Sequence, residues 1–528
     1  MSNFPRILLQ LKFDMFLHPM LISLFLAILL WIFLKCFSAK KKNLSPPSPR
    51  GLPILGNLHQ LSPLLHRSLG SLSQKYGSIM LLQFGSLPTV IISSAEAAAQ
   101  VLKTHEQAFL DRPYLDISAR LIYNNKGVAV APYGEHWRKM KSIFVHHLLS
   151  NKRVCELRGI REQEIALMME NIEGFSSSSS LANLSEMITS TTNDIVCRSA
   201  FGTKFGEGEN GEKFRFLFTE FLQVLGTTNL GLFFPWLKWT DRVTGVDSRV
   251  EKLAKGLDQF LDNMIQERLE KGLIGSSKDF DFLDILLSLH KDNSEGVSID
   301  RDSVKALILD VFSAGTSTSA AVTEWAMAEL IKHPNVMKKL QNEVRGILCG
   351  RQEITDNDLE KMCYLKAVIK ETFRLHLPNP ILVPSAARED TEVMGYHVTA
   401  GSVVIINAWV IGRDPALWDK PEEFLPDRFL NSSIDYKGQD FQLIPFGSGR
   451  RGCPGAFFAM ASNELMLANL LNKFDWELPN GAKGEDLDMT EDFGLSIRRK
   501  LPLLGLKKDI YCEDRKNFIK TVCDNLRK

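Results

Sequence analysis

The chain has 528 residues, with 63 Lys and Arg against 62 Asp and Glu, a formal net charge of +1. Such a balance offers no broad basic face, so no nucleic-acid partner is expected. Hydrophobic residues at 45% and charged residues at 24% exclude a disordered chain. The length exceeds that of a usual single domain, which leaves several domains or one large core organised around a bound group.

Residues 15–34 carry no formal charge and end in an unbroken apolar run, long enough to cross a hydrocarbon core of about 30 Å as a helix. No short apolar core with a small-residue cleavage site is present, so a retained anchor is expected rather than a cleaved signal. Lys35, Lys40, Lys41 and Lys42 follow the span and outweigh Arg6, Lys12 and Asp14 before it, which places the downstream body in the cytosol. Prolines then crowd residues 46–56 and predict a stiff, non-helical hinge.

Runs at 79–84 and 89–92 around a Gly-Ser-Leu-Pro turn predict a hairpin. A second hairpin is expected from 395–398 and 403–406 around Ala400 and Gly401. Most of the remainder has helical periodicity, with exposed loops at 176–180 and 271–277. A central helix is expected from Ser303 through Lys332, with small residues Ala314 and Gly315 thinning one face. Its grouped hydroxyls at 316–319 bond back to carbonyls and open the helix locally. Glu371 and Arg374 share a helix face at i,i+3, and alone they would form an ordinary solvated ion pair. The eight cysteines are scattered, without a Cys-x-x-Cys pair, which fits a reducing compartment. Cys197 and Cys363 sit in apolar helical patterns and read as core packing.

Cys453 differs. It lies in a glycine-rich, twice-basic turn containing Phe446, Gly449, Arg451 and Gly455, directly before an apolar helical pattern. A metal deprotonates such a thiol outright, and neighbouring amides and positive charge steady the anion. Thiolate is the electron-donating axial ligand of haem iron. The glycines let backbone approach a flat macrocycle, and Arg451 suits a haem propionate.

The spacing of Phe446, Gly449, Arg451, Cys453 and Gly455 resembles the haem-binding signature of the cytochrome P-450 superfamily. The resemblance extends from Pro46 to about Leu503 and is greatest to the plant A-type group of specialised metabolism. It implies a mainly α fold with small β-sheets around a buried haem b, plus one N-terminal transmembrane helix. Residues 1–45 would be anchor and basic flank, 46–56 the hinge, 57–506 the haem-thiolate catalytic domain and 507–528 a polar tail. Glu371, Arg374 and Arg428 match the family's structural triad, Thr318 its proton-guiding alcohol, and Trp137 with Lys141 its propionate contact. Ser317 stands where an acid is usual, so water or a polar group of the substrate would complete the proton path. Lys141 and Ser385 stand where arginines are usual, with Arg138 or Arg388 as compensating cations.

Segments 114–130, 233–236, 310–315, 380–383 and 494–497 are expected to face substrate, with Ala314, Gly315, Val383 and Leu495 in contact. Their apolar character suits a hydrophobic small molecule. The resemblance implies a monooxygenase in the endoplasmic reticulum membrane. NADPH would supply electrons through a separate reductase, because no dinucleotide or flavin motif is present. The alternatives are a haem-thiolate isomerase or dehydratase needing no reductase, and a non-catalytic haem-binding membrane protein.

Overall fold

The structure is a computed structural model; it describes Ser23 and residues 44–174, 181–204, 208–227, 229–272, 281–291 and 299–509. The chain divides into two compact units, Met1–Ser45 and Pro46–Lys528. Apart from Ser23, the expected anchor lies outside the described residues, as do the 176–180 loop and most of 271–277. Among the described residues, Arg301–Lys332 is the one helix long and apolar enough to cross a membrane, and it forms the buried centre of the body.

That central helix starts where the Asp300 side chain accepts from the Ser303 amide at 2.9 Å. It breaks at Thr316 (φ −84°, ψ −66°) into Arg301–Gly315 and Ser317–Lys332. The cause is the expected one, because the Thr316 hydroxyl donates to Phe312 O at 2.9 Å and the Thr318 hydroxyl to Ala314 O at 2.6 Å. Phe312 packs on Phe201, Phe214 and Phe218, and the second half buries Trp325 against the His376 ring. The helices Leu184–Phe201, Cys363–Leu375 and Ala456–Lys473 pack around it in a single large core.

The Ile79–Phe84 and Leu87–Ile92 strands form the first hairpin, with a turn of Gly85 and Ser86 only. Gly85 has φ +58°, and a Cβ there would collide with Phe233 O, which accepts the Ser86 amide at 2.8 Å. The second expected hairpin does not form. Val403–Ile406 runs parallel to Leu87–Ile92 and also pairs with Ser385–Ala386, whereas Tyr396–Val398 pairs with Thr391–Val393. Four consecutive buried residues, Val403 to Ile406, mark an interior strand needing neighbours on both edges. The tight turn is Met394-Gly395, with φ +50° and +80°, two residues that reverse the chain more sharply than Ala400-Gly401.

Residues 46–51 are non-helical, and Pro47 O accepts the Leu81 amide at 2.9 Å, so this stretch lies along the hairpin. At the other end Leu504–Asp509 pairs with Phe474–Glu477, carrying the folded body past residue 506. Cys197 is buried as expected; Cys363, the first residue of its helix, is exposed.

Glu371 and Arg374 are both fully buried, and the guanidinium meets the carboxylate through two hydrogen bonds of 2.8 Å. Arg428 adds a third at 3.1 Å and the Leu425 amide a fourth at 2.8 Å. The remaining donors of Arg374 reach the carbonyls of Gly412, Pro421 and Glu423, so the pair gathers the irregular 412–425 segment onto the helix. Replacing Glu371 by Gln leaves Arg374 buried without its counter-charge, a loss of about 3–5 kcal/mol. A drop in thermal midpoint together with poor recovery of haem-loaded protein is the expected result, read by calorimetry and by the haem-to-protein absorbance ratio.

Candidate active site

Cys453 is exposed, in a loop whose neighbours Leu443, Ile444 and Ser448 are buried. The Cys453 amide donates to Phe446 O at 2.8 Å, closing the loop, and Phe446 is wedged between Phe373 and Tyr436. No side chain caps the Ala456–Lys473 helix, so its first amides are left for the sulfur. Burial among protein atoms pushes the thiol up; the Gly455 amide, the Lys141 charge and the Ala456 amide pull it back. The sulfur therefore opens on one side and is held by donors on the other.

Arg451 sends its guanidinium to the carbonyls of Leu110 (2.8 Å), Val128 (3.4 Å) and Ala131 (2.8 Å), over the Trp137 ring. Trp137 donates its indole N–H to Val128 O at 3.0 Å, and Lys141 donates to Gly452 O at 2.5 Å. Arg112, which the sequence reading missed, binds the carbonyls of Val383 (2.7 Å) and Pro384 (3.0 Å) and the Ser385 hydroxyl (3.3 Å). Its only sequence signal was a basic residue before Pro113 in a segment assigned to other roles nearby.

Arg112, Lys141 and Arg451 push against one another. Burial lowers Arg112 to about 10. Burial, then the Arg112 charge, lowers Arg451 to about 9. Burial lowers Lys141 to about 8; the Cys453 charge raises it and the two arginines lower it further. Three partly buried cations grouped around Lys141, which itself acts on the sulfur, call for anions. An open thiolate position edged by cations fits an iron macrocycle carrying two carboxylates.

Arg138 is exposed over the Tyr133 ring, and Arg388 pairs with Asp111 at 3.1 Å, so neither joins this cluster. Gly449 has φ +66°, and a Cβ there would collide with Leu102 O and the Glu106 carboxylate. Close packing against protein is by itself a reason for glycine here.

Ala314, Val383 and Leu495 are exposed apolar residues. Gly315 turns the other way: a Cβ there would meet Val196 at 3.3 Å, so it serves close helix packing. Of 233–236, Phe233 packs on Phe84 beside the hairpin turn and Trp236 is exposed. The Ser317 hydroxyl pairs with the Ser496 hydroxyl, and its carbonyl accepts from Arg498 at 3.1 Å. Ser496 was within an expected substrate segment, but its contact with Ser317 joins residues far apart in sequence.

Asp310 links the two walls, taking the Val128 amide while Val128 O receives Trp137 and Arg451. Burial raises its carboxyl to about 7, against the pull of the Val128 and Ala129 amides.

Residues 46–504 match the Cytochrome P450 family. A Prunus mume protein, Cytochrome P450 736A117, is 53% identical over 496 residues, covering 92% of this chain and 95% of the relative. The norfluorocurarine oxidase of a Strychnos species is 46% identical over 503 residues, covering 93% and 98%. A zebra fish cytochrome P450 structure with progesterone shares the fold, with a TM-score of 0.70 and 24% identity over 85% of this chain and all of that one. The exposed Cys453 sulfur thus sits on the fold of haem-thiolate monooxygenases. The chain belongs to the cytochrome P450 family, and its cofactor is haem iron.

Two outcomes follow from the buried charges. Arg112→Leu removes one of three cations and should speed haem transfer to apomyoglobin at least about tenfold, an energy near 1.4 kcal/mol. For Asp310 the folded value lies above the usual 3.8, so the folded state holds the extra proton and its stabilising share is complete below that value. This share is lost as pH rises to about 7, at up to about 1.4 kcal/mol per pH unit. Asp310→Asn should flatten this slope, so the wild-type minus variant difference in thermal midpoint should fall between pH 5 and 8.

Proposed function

We propose that the protein is a membrane-anchored monooxygenase that oxidises a hydrophobic plant specialised metabolite, such as an alkaloid, terpenoid or phenolic, using NADPH through a separate reductase. The carrying observation is the exposed Cys453, backed by helix-terminal amides and by Lys141, around which Arg112 and Arg451 gather. In this reading Cys453 ligates the iron and Arg112, Lys141 and Arg451 take the propionates. The Glu371, Arg374 and Arg428 triad keeps the cysteine loop in place. Haem, when bound, supplies the reductive activation of dioxygen.

Thr318, with its proton given to Ala314 O, presents oxygen lone pairs that can accept and pass a proton arriving from water. Ala314, Val383 and Leu495 present apolar surface for the substrate and keep bulk water from the reacting carbon. The norfluorocurarine oxidase among the relatives supports a specialised-metabolite substrate. Residues 15–34 would anchor the chain in the endoplasmic reticulum membrane with the body in the cytosol.

The alternative of an isomerase or dehydratase rests on Ser317, which cannot titrate as the usual acid does. Membranes carrying the protein and a reductase, given NADPH, heavy dioxygen and a plant metabolite panel, separate the readings by mass spectrometry. Label in a product supports the monooxygenase. Product formed without label and without NADPH overturns it in favour of the alternative.

A further inference from the structure

Ser317 is gripped twice by one short segment. Ser496 meets its hydroxyl and Arg498 its carbonyl. Ser496 reaches it from the bend at 494–496 and Arg498 from the short strand Arg498–Arg499 that follows, so the two act on one helical residue together. Arg498 is fixed in turn by Thr189 at 3.2 Å, whose hydroxyl donates to Ser185 O at 2.7 Å. The neighbouring Ile497 is tied on both flanks, its amide to Pro378 O at 2.8 Å and its carbonyl to the Trp325 indole at 3.3 Å. Ser496 is 7% exposed and can rotate its hydroxyl but has little room to move its backbone.

A carboxylic acid relays a proton by losing and regaining it. A pair of hydroxyls can do so without either carrying charge at rest, because each is both donor and acceptor. We propose that Ser496 is the second member of the proton path in this enzyme: the Ser317 and Ser496 hydroxyls together replace the missing acid beside Thr318. The inference rests on the monooxygenase reading. As the Ser317 proton moves on toward Thr318, Ser496 donates its own to Ser317, and water returns one to Ser496. One proton leaves and one enters, no electron moves in these steps, and Arg498 disfavours an excess proton resting on the pair. Arg498 also keeps the Ser317 backbone from sliding away when the hydroxyls exchange roles.

The variants Ser317→Ala, Ser496→Ala, their combination and Ser496→Thr test this in the haem-loaded, reductase-supported protein. Two readouts are used: peroxide formed per NADPH, and the infrared stretch of carbon monoxide bound to the reduced protein, which needs no turnover. Ser317→Ala and Ser496→Ala should each raise the peroxide ratio about threefold or more and shift the stretch alike. The double variant should do no more than either, since both act through one pair. Ser496→Thr keeps the hydroxyl and should remain close to wild type in both readouts. In a Ser317→Asp background, Ser496→Ala should have little further effect.

A Ser496→Ala variant that folds, with a wild-type peroxide ratio and stretch, overturns the proposal. So does additivity of the two alanine variants. Should Ser496→Ala fail to fold, a Ser496→Thr variant with a high peroxide ratio overturns it equally. Wild-type protein that makes unlabelled product without NADPH defeats the monooxygenase reading itself, whereas the infrared comparison still judges the hydroxyl pair.

Discussion

A sulfur anion has to be kept inside protein, and everything near the cleft answers that demand. Burial alone drives the Cys453 thiol toward its neutral form. The opposition comes from an uncapped helix start, whose amides have nowhere else to point, and from Lys141. Helix termini carry unpaired amides as a matter of geometry. Here the chain leaves the cap position to Gly455 and so spends none of them on a side chain. The cations gathered at Lys141 are a second demand, and the two together describe a ligand that is metal at its centre and anionic at its rim.

Such a seat holds its shape only if the loop carrying it cannot drift. The Glu371 and Arg374 pair is fully satisfied, its charged ends bonded to each other, to the 412–425 segment and to Arg428. Buried ion pairs rarely add much net stability, but losing one partner is severe, which makes them good at enforcing a single arrangement of irregular chain. Phe373, on the same helix, packs against Phe446 at the root of the cysteine loop. Fixation thus passes from a buried charge pair to a packed ring and then to the sulfur.

Much of this was readable in the residues. The cysteine loop, the triad and the opened central helix depend on local spacing, and spacing is what a sequence displays directly. The hairpin at 79–92 was legible for the same reason. The Val403–Ile406 strand was not, because its partner lies more than three hundred residues earlier and the nearby Ala400-Gly401 turn suggested a local one. Arg112 was missed because a cation declares its role only once Arg451 and Lys141 are seen beside it. Gly315, expected to face substrate, and Gly449, expected at the haem, both also sit in close protein packing, and a glycine's neighbours cannot be read from its own position. Ser317 was visible as a departure, yet its partner Ser496 was hidden by the same long-range closure.

Val128 serves both walls of the cleft, its N–H bound to Asp310 on the central helix and its C=O to Arg451 in the cysteine loop. One residue carries both contacts, so the two walls meet at this edge through a very short stretch of backbone. Variation in chamber size falls to exposed side chains such as Val383 and Leu495. A lineage of such proteins can diversify what it oxidises by changing those residues while the spacing around the iron stays constant.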